Sequence, residues 1–555
     1  MSAARTGPIT HLQRNSYSDR SACWARSGQL YDSRFSESEG LAGVSPVTAR
    51  ALAVLGTASD VGKSLVTVGI CRLLHRTGVR VAPFKAQNMS LNSFVTPDGL
   101  EIGRAQALQA EACGLSPHVD MNPILLKPES DRCSQVVVLG RVLAKQEASA
   151  YYDERPRLWS VVTDSYARLS RQYDVMVIEG AGSAAEVNLR KRDLVNWPVV
   201  EFADAQVLLV ADIERGGVFA QVVGTLDLLE PVERARVCGI IINKFRGDAT
   251  LFADGVDFLE SRTGIPVLGV VPFLRDLMLD QEDSLDLARH QQTSFTSDRI
   301  NIAVILLPHM SNFTDFNALA AEKDVALRYV STPSALVEAD SVIIPGSKNT
   351  LADLSYLRER GFAALLDNHL QGRRELIGIC GGYQMLGRRI TDPDCVEEGG
   401  TGCGLGYLNT ETVLTKKKYT AQVEAYPTDF FPTGQGLVRG YQIHMGVTRR
   451  VNERPCFRLR RHSVLSEDGP QSFAADTEEV DGAIRHDGLV WGTYIHGVFD
   501  EPGFRRAWLN RARERKGLLP LDNHTSKSVT ACLQGEIDRW ADHLSRNVDL
   551  SCLLR

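Results

Sequence analysis

Short apolar runs alternate with longer amphipathic stretches along most of the chain. From residue 51 the apolar runs have the length of strands and end in glycine-rich or polar turns; they occupy residues 51–55, 175–179, 206–212, 239–243 and 266–271. Strands that alternate with helical stretches are typical of a mostly parallel sheet with helices on both faces. The pattern therefore predicts an α/β domain in the first half of the chain.

A second series of apolar runs follows a polar and acidic segment. Residues 276–299 lack strand character, and new runs of strand length occupy residues 300–307, 341–345 and 376–380. A chain of 555 residues is also longer than one hydrophobic core normally supports. We therefore predict two α/β domains, at residues 49–275 and 300–510, with a linker at residues 276–299.

The two ends of the chain do not follow this pattern. Residues 1–48 are rich in Ser, Arg and Gly and have no sustained helical or strand period, which predicts a disordered extension. Residues 511–555 are predicted to form a C-terminal helical tail. Neither segment enters the predicted sheets.

Composition and charge exclude several classes of function. The chain is 43% hydrophobic and 23% charged, with a formal net charge of -6, which gives no reason to expect a nucleic-acid partner. No apolar run approaches the roughly 18 residues of a transmembrane helix, so no membrane association is expected. The eleven cysteines occur without a CxxC pair, which favours reduced thiols in the cytoplasm over disulfides or a zinc site. Composition and charge do not decide between a monomer and a homo-oligomer, so both are retained as predictions.

A turn between a predicted strand and a predicted helix resembles a phosphate-binding loop. The segment GTASDVGKS begins at Gly56 and ends at Ser64, although Thr57 stands where the usual motif has its first glycine. Glycines let backbone N–H groups face phosphate oxygens, a lysine reaches the outer phosphates, and the serine hydroxyl can ligate magnesium. We therefore predict that Gly62, Lys63 and Ser64 bind ATP, with Ser64 also a ligand of Mg²⁺.

Other polar residues follow predicted strands of the same domain, where ligands of open α/β sheets collect. Glu179 is a candidate magnesium ligand and Asp212 a weaker one. Asn243 and Lys244 resemble the base-binding dipeptide of P-loop proteins, so we predict that they contribute to ATP binding. Lys85 could neutralise an acyl phosphate or a substrate carboxylate. The structural alternatives are capping acids at Glu179 and Asp212, an ordinary strand-end turn at Asn243 and Lys244, and a solvated lysine at Lys85.

The second domain contains a candidate cysteine nucleophile. Cys380 lies in the segment GICGGYQMLG, where small neighbours permit a sharp turn between a strand and a helix. His496 ends another predicted strand, in YIHG, and we predict that it is the base for Cys380. Gly346, in PGSKNT, is a candidate donor to an oxyanion. His444, in GYQIHMG, marks a second polar cluster without an assigned role.

Ten motifs follow one another from about residue 50 to the low 500s: GTASDVGKS, FKAQNMS, MNPILLKPESD, VIEGAGSAAE, DIERGGVFA, NKFRGD, PGSKNT, GICGGYQMLG, GYQIHMG and YIHGVFD. With these motifs in this order, the chain resembles the cobyric acid synthase family, the glutamine-hydrolysing ligases of cobalamin biosynthesis. The resemblance implies a first domain similar to dethiobiotin synthetase. It implies that the second domain is a flavodoxin-like class I glutamine amidotransferase.

The resemblance also implies a reaction. In this family ATP phosphorylates a peripheral carboxylate of a corrinoid, adenosylcobyrinic acid a,c-diamide, and ammonia from glutamine then displaces phosphate. Repetition at the b, d, e and g side chains gives adenosylcobyric acid. By this resemblance Cys380 releases the ammonia, Mg-ATP is held by Lys63, Ser64 and Glu179, and Lys85 lies near the reacting carboxylate. Mg²⁺ is then the cofactor, and ATP and glutamine are co-substrates.

Two departures from the family pattern leave questions open. Many class I amidotransferases have a glutamate two residues after the histidine, whereas this chain has Val498, with Asp500 nearby. A third catalytic residue is therefore uncertain from sequence. Residues 1–48 have no counterpart in the family pattern. The alternatives are the sister enzyme cobyrinic acid a,c-diamide synthase, against which FKAQNMS argues, an amidotransferase-ligase of cell-wall precursors, and a non-enzymatic nucleotide-regulated partner protein.

Overall fold

A computed structural model describes most of the chain. The described residues are 49–129, 133–147, 154–279, 293–429, 436–461, 465–466, 469–470, 479–522 and 526–551. The extension predicted at residues 1–48 lies outside them, as does the greater part of the predicted linker, residues 280–292. Among the described residues, no helix is both long and apolar enough to cross a membrane.

The first domain is built on a sheet of six parallel strands in the order β12-β11-β10-β1-β9-β2. Its strands in chain order are β1 (Arg50–Gly56), β2 (Val81–Phe84), β3 (Gln87–Met89), β4 (Ser93–Val95), β5 (Glu101–Gly103), β6 (Ile124–Pro128), β7 (Cys133–Val138), β8 (Arg141–Glu147), β9 (Val175–Glu179), β10 (Gln206–Asp212), β11 (Val237–Phe245) and β12 (Val267–Pro272). Strands β1, β9 and β10 are almost wholly buried, because helices cover both faces of the sheet. Strands β3, β6, β7 and β8 form a separate small sheet, and β4 pairs with β5.

The helices of this domain connect the parallel strands, as crossover connections require. They are α1 (Lys63–Arg76), α2 (Arg104–Ala112), α3 (Arg155–Ser170), α4 (Trp197–Phe202), α5 (Val218–Leu228), α6 (Pro231–Arg234) and α7 (Ala253–Thr263), with short 3-10 helices at Val119–Met121, Arg190–Arg192 and Ala249–Phe252. Helix α1 starts directly after the glycine-rich turn that follows β1. The N-terminus of α1 therefore lies at the carboxyl edge of the sheet.

The second domain has its own central sheet in the order β15-β13-β16-β18-β28-β27, parallel except for β27. Its strands are β13 (Ile300–Ile305), β14 (Met310–Ser311), β15 (Val325–Val330), β16 (Ser341–Ile344), β17 (Gly346–Ser347), β18 (Glu375–Ile379), β19 (Arg389–Asp392), β20 (Gly400–Cys403), β21 (Thr410–Pro427), β22 (Val438–Arg450), β23 (Phe457–Arg461), β24 (Leu465–Ser466), β25 (Gly469–Pro470), β26 (Glu479–Asp481), β27 (Ala483–Ile484), β28 (Val490–Thr493) and β29 (Ile495–His496). The helices are α8 (Asn317–Ala320), α9 (Thr350–Glu359), α10 (Phe362–Gln371), α11 (Gly381–Leu386), α12 (Pro502–Lys516) and α13 (Val529–Asn547), with 3-10 helices at Phe313–Phe316 and Pro333–Leu336. The two α/β domains predicted from the strand pattern are thus present.

A second, mostly antiparallel sheet of this domain joins the two domains. The long strands β21 and β22 pair with each other, and β29 pairs with β22. The hairpin of β4 and β5 in the first domain lies against β21 and β22, where Val95 packs with Tyr441 and Ile443. Thr420 Oγ1 donates to the Gly99 carbonyl at 2.6 Å, another bond between the domains. This interface lies next to β29, which ends at His496.

The end of the chain returns to the first domain. Helix α13 packs along α1, with Trp540 Nε1 donating to the carbonyl oxygen of Leu65. The segment predicted as a tail is therefore helical but not free, and its predicted start at residue 511 falls within α12. The beginning of the predicted linker is likewise packed, because Leu277 and Leu279 are buried in the first domain. Apolar faces of these segments, not their position in the chain, decide where they lie.

Candidate active sites

Cys380 occupies a sharp turn between β18 and α11. Its backbone has φ 51° and ψ -109°, a conformation that non-glycine residues rarely adopt. The helix after the turn lies close to β16 because residue 382 is glycine: a side-chain carbon there would lie 2.0 Å from the carbonyl oxygen of Ile344. The Cys380 N–H donates to the Thr493 carbonyl at 2.8 Å, which ties the turn to β28. The strand, turn and helix predicted around Cys380 are thus present, and they hold it at the carboxyl edge of the sheet.

His496 is fully buried beside this cysteine. Its Nδ1 lies 2.7 Å from Oδ2 of Asp315, and the Cys380 side chain is close enough to raise the pKa of the ring. The other oxygen of Asp315 accepts a hydrogen bond from the Gly497 N–H at 3.0 Å. Burial lowers the pKa of His496, but the Asp315 carboxylate and the Cys380 thiol outweigh it and raise the pKa to about 10. A Cys-His-Asp arrangement therefore stands where the sequence predicted a pair.

Asp315 was not found from sequence. It lies in the 3-10 helix Phe313–Phe316, after β14 and far from the histidine motif, so spacing from His496 could not reveal it. Asp500, which the sequence places near the histidine, donates its backbone N–H to the Gly497 carbonyl at 2.9 Å. An acid in a polar turn after a strand was the only signal for Asp315, and many acids share that signal.

Gly346 and His444 both lie close to this site. A side-chain carbon on Gly346 would be 3.5 Å from Cε1 of His496, so the backbone of Gly346 lies beside the imidazole. The role of Gly346 as an oxyanion donor stays a prediction. His444 stacks on Tyr494 with ring centroids 3.8 Å apart, and its Nδ1 is 2.8 Å from the Gly446 carbonyl. These contacts give His444 a place in the wall of the site.

A small cavity opens at the cysteine, and both domains line it. From the second domain Cys380, Gln384, Lys418 and His444 contribute, whereas Lys127 comes from the first domain. Because the wall of the cavity includes a residue of the other domain, the cysteine site is complete only when the two domains are together.

A cluster of buried charges forms this shared wall. Glu101 of the first domain pairs with Lys127 at 2.7 Å and with Lys418 of the second domain at 2.5 Å. Burial raises the pKa of Glu101, but the two ammonium groups outweigh it and hold it far below the usual range. Burial lowers the pKa of Lys418 to about 7, despite the attraction of Glu101. The cluster could not be predicted from sequence, because its members are distant in the chain.

The phosphate-binding loop of the first domain has the predicted form. Gly62 has φ 97°, and a side-chain carbon there would lie 2.2 Å from Nδ2 of Asn243, so glycine is required. Lys63 Nζ donates to the carbonyl oxygens of Ala58 at 3.0 Å and Gly182 at 2.9 Å. The lysine thus lies across the loop, at the start of α1, where an anion would be attracted.

Glu179 is the centre of a buried polar cluster beside this loop. Its Oε1 accepts hydrogen bonds from Ser64 Oγ at 2.7 Å and Lys85 Nζ at 3.0 Å. Gln109 of α2 donates to its other oxygen, and Gln106 lies 3.4 Å from the same atom. Burial raises the pKa of Glu179, but the Lys85 ammonium and the hydrogen bonds outweigh it and lower the pKa. The structure therefore brings together three residues that the sequence singled out separately, and adds two glutamines.

Asn243, Lys244 and Asp212 form a second group on the other side of the loop. Asn243 Nδ2 donates to the Val61 carbonyl at 2.8 Å, and Lys244 Nζ donates to the Asp60 carbonyl. Lys244 also pairs with Asp212 at 3.0 Å. These residues brace the phosphate-binding loop from β11 and β10, and base binding by Asn243 and Lys244 stays a prediction.

Ser64 and Glu179 are the residues that suit a magnesium ion. Both present oxygen atoms, which Mg²⁺ prefers. Ser64 lies at the start of α1, where outer phosphates would bind, and Glu179 ends β9 within hydrogen-bonding distance of it. Among the described residues, no group of three or more His, Cys, Asp or Glu side chains could hold a metal ion by itself. A magnesium ion with few protein ligands completes its shell with phosphate oxygens and water, so the two residues fit the expected pattern.

Comparison with known proteins agrees with this two-site arrangement. Residues 52–285 match the model of the CobQ/CobB/MinD/ParA nucleotide binding domain, and residues 301–504 match that of the CobB/CobQ-like glutamine amidotransferase domain. The cobyric acid synthase of Klebsiella pneumoniae (strain 342) is 50% identical over 504 residues, which cover 90% of this chain and 96% of that protein. The cobyric acid synthase of Salmonella typhimurium (strain LT2) is 50% identical over 508 residues, 90% of this chain and 95% of that one.

Two similar solved structures each cover less than half of the chain. A crystal structure of a glutamine amidotransferase is 16% identical, with a TM-score of 0.27, and covers 39% of this chain and 99% of its own. The signal recognition particle receptor FtsY from Elizabethkingia anophelis in complex with GDP is 18% identical, with a TM-score of 0.26, over 45% of this chain and 63% of its own.

Proposed function

The chain belongs to the cobyric acid synthase family, and from this premise we propose that it amidates carboxylate side chains of a corrinoid with ammonia taken from glutamine. It is a glutamine-dependent amidating ligase with a nucleotide-binding domain. The main support for the proposal is the 50% identity to the Klebsiella pneumoniae cobyric acid synthase, which extends through both domains. Each half of the reaction thus has a candidate site in this chain.

For the acceptor we propose adenosylcobyrinic acid a,c-diamide. Amidation of its b, d, e and g carboxylates would give adenosylcobyric acid, with one ATP and one glutamine used for each amide. Met89 ends β3, four residues after Lys85, and its side chain is exposed. An exposed apolar side chain near Lys85 in sequence supports an acceptor with a large apolar surface.

In the glutaminase half-reaction, the sulfur of Cys380 attacks the side-chain amide carbon of glutamine. His496 donates a proton to the departing nitrogen, which leaves as ammonia, and a thioester remains on Cys380. Water then attacks the thioester, His496 takes up its proton, and glutamate leaves as the thiol is restored. Asp315 suits this role of His496, because a carboxylate at Nδ1 fixes the ring and stabilises the imidazolium.

In the synthetase half-reaction, an oxygen of the acceptor carboxylate attacks the γ-phosphorus of ATP and ADP leaves. Lys63 and the N-terminus of α1 stabilise the transferring phosphoryl group, while Lys85 neutralises the acceptor carboxylate. Ammonia then attacks the carbonyl carbon of the acyl phosphate. The new C–N bond forms as inorganic phosphate leaves, and one proton of the nitrogen is released.

Magnesium is the cofactor that we propose for this site. Ser64 and Glu179 would hold it through their oxygen atoms. A bound Mg²⁺ ion would neutralise charge on the outer phosphates of ATP. Ser64 donates its hydroxyl hydrogen to Glu179, and metal binding would exchange this hydrogen bond for contacts with the ion.

A mass spectrum of adenosylcobyrinic acid a,c-diamide after incubation with the protein, ATP, Mg²⁺ and glutamine tests this function. We expect a ladder of up to four mass changes, each replacing a hydroxyl by an amino group, and none without ATP. Cys380→Ala should lose the ladder with glutamine and keep it with ammonium chloride. No mass change with either nitrogen source would contradict the proposed acceptor.

The sister activity, amidation of cobyrinic acid at its a and c carboxylates, is the second candidate. The same assay with cobyrinic acid separates the two, because only the sister enzyme would add two amides to it and leave the a,c-diamide unchanged. The family match favours amidation of the a,c-diamide, since the two relatives described above are cobyric acid synthases.

A further inference from the structure

Ser93 in β4 of the first domain makes hydrogen bonds to both halves of the molecule. Its backbone N–H donates to Oδ1 of Asn312 at 3.0 Å, and its carbonyl oxygen accepts from the Tyr441 hydroxyl at 3.1 Å. Its hydroxyl donates to Glu101 at 2.7 Å and accepts from Lys127 at 2.8 Å. Two bonds thus cross to the second domain, and two remain within the first.

The two residues of the second domain that bind the Ser93 backbone also contact the imidazole of His496. Asn312 Nδ2 lies 3.5 Å from Nδ1 and 3.4 Å from Nε2 of the ring. The Tyr441 ring is stacked on the imidazole, with an interplanar angle of 18° and centroids 5.3 Å apart. One residue of the first domain therefore holds two of the residues that contact the imidazole of His496.

Asn312 is also joined to the carboxylate partner of the histidine. It precedes the 3-10 helix Phe313–Phe316, and its carbonyl oxygen accepts the backbone N–H of Asp315 at 3.1 Å. Asn312 itself is buried and has φ 53° and ψ 45°, a left-handed conformation. A movement of Asn312 would therefore displace both its own amide and the turn that carries Asp315.

Within the first domain, the contacts of Ser93 continue to the nucleotide site. Glu101, which accepts the Ser93 hydroxyl, lies in β5, and α2 begins directly after β5. From α2, Gln106 and Gln109 reach the carboxylate of Glu179. A continuous set of buried contacts thus connects the proposed magnesium ligand with the catalytic histidine. Such a set can couple two sites energetically when ligands at both sites favour the same arrangement of the residues between them.

We propose that Asn312 is a positioning residue for His496 and that Ser93 of the first domain holds it in place. The rate of glutamine hydrolysis then depends on how β4 of the first domain packs against the second domain. Ammonia is released fastest when the nucleotide and acceptor site is formed. The inference rests on the proposed function, because it takes Cys380 and His496 as the glutaminase pair.

Asn312→Gly is the variant that tests the proposal. Glycine keeps the left-handed backbone without strain, whereas alanine would disfavour it, so the change removes the side chain alone. We expect kcat for glutamine hydrolysis to fall by about 10- to 100-fold. KM for glutamine should change less than kcat, because the change misplaces the general acid-base group whereas Asn312 is one of several residues that line the cavity. An unchanged kcat would overturn the proposal.

Thr420→Val is the matched control. It removes another hydrogen bond between the domains, to the Gly99 carbonyl, without contacting His496. We expect near wild-type glutamine hydrolysis from Thr420→Val. An equal loss in both variants would mean that the interface as a whole, and not Asn312, determines the rate, and would overturn the assignment.

Amidation with ammonium chloride separates this proposal from the proposed function. Asn312→Gly should keep the wild-type rate in that assay, because ammonia bypasses the cysteine site; a parallel loss would show that the variant damages the first domain and would overturn the positioning role. If the wild-type protein also fails to amidate the corrinoid with ammonium chloride, the proposed acceptor is wrong. The glutamine hydrolysis assay still tests Asn312 in that case.

Discussion

Nδ1 of His496 lies 2.7 Å from Oδ2 of Asp315, although 181 residues separate the two along the chain. The contact gives the cysteine site a third member in place of the glutamate that many class I amidotransferases have two residues after the histidine. Because Asp315 also accepts the Gly497 N–H, it holds both the ring and the backbone that follows it. Asp315 thus fixes the orientation that proton transfer to and from Cys380 would need.

Replacement of Asp315 by asparagine should reduce kcat for glutamine hydrolysis by about 100- to 10,000-fold, because the ring loses its charged partner and its preferred tautomer. Glutamate release measures the loss, and amidation with ammonium chloride should be unaffected. Asp500→Asn is the control, since Asp500 is near the histidine in sequence whereas Asp315 is the carboxylate at Nδ1 of its ring. Equal activity of Asp315→Asn and wild type would contradict the role of Asp315.

The same pair should make thermal stability depend on pH. The pKa of His496 rises from 6.5 to about 10 on folding, because Asp315 and Cys380 outweigh the effect of burial. A raised pKa stabilises the folded state fully below the unfolded value, and this stabilisation is lost as the pH rises through the folded value. The difference in melting temperature between wild type and Asp315→Asn should therefore be larger at about pH 6 than at about pH 10. A difference independent of pH would contradict the ion pair.

Glu179→Gln should abolish synthesis while leaving glutamine hydrolysis measurable. The change removes the carboxylate that we propose as a magnesium ligand and that pairs with Lys85. We expect ATP-dependent amidation to fall by at least about 100-fold, since a metal site supplies several kcal/mol of charge stabilisation. ADP formation and the mass of the corrinoid measure this step.

Asp212→Asn is the control for Glu179→Gln. Asp212 pairs with Lys244 and is the weaker metal candidate of the sequence. We expect a smaller loss of amidation from this change, because Asp212 pairs with Lys244, whereas Ser64 is hydrogen-bonded to Glu179. A larger loss than that of Glu179→Gln would move the magnesium site to Asp212.

Glu101→Gln should destabilise the protein more than Lys418→Met. Removal of Glu101 leaves two buried lysines without their common carboxylate, and breaking a buried ion pair in this way costs about 3–5 kcal/mol. Lys418→Met should cost less, because burial already lowers the pKa of Lys418 to about 7 and Glu101 keeps its bond to Lys127. Melting temperatures near neutral pH compare the two variants, and the reverse order would contradict this account of the cluster.

Local sequence was sufficient wherever a site residue lies at the end of its own strand. The phosphate-binding loop follows β1 and precedes α1, and Cys380 follows β18 and precedes α11, as the apolar runs and glycines predicted. Glu179 ends β9 for the same reason. When a strand, a turn and a helix are adjacent in the chain, they fix where the residue in the turn lies relative to the sheet. The positions of these site residues could therefore be predicted.

Residues that act through distant contacts could not be predicted. Asp315 and Asn312 lie in a turn whose sequence does not indicate where their side chains point. Gln106 and Gln109 are ordinary polar residues of a helix. Glu101 and Lys418 are 317 positions apart. Their partners are set by how the sheets and domains pack, and an acid or amide in sequence does not indicate which group it will meet.

The sequence by itself determined two α/β domains, a phosphate-binding loop and a cysteine in a sharp turn, because each depends on a short stretch whose hydrophobic period and glycines fix the backbone. The tertiary structure alone decided that Asp315 supports His496, that Ser93 reaches the neighbours of that histidine, and that α13 packs on α1. These contacts join segments distant in the chain, and they form because burial of apolar faces brings the segments together and buried polar groups must then find partners.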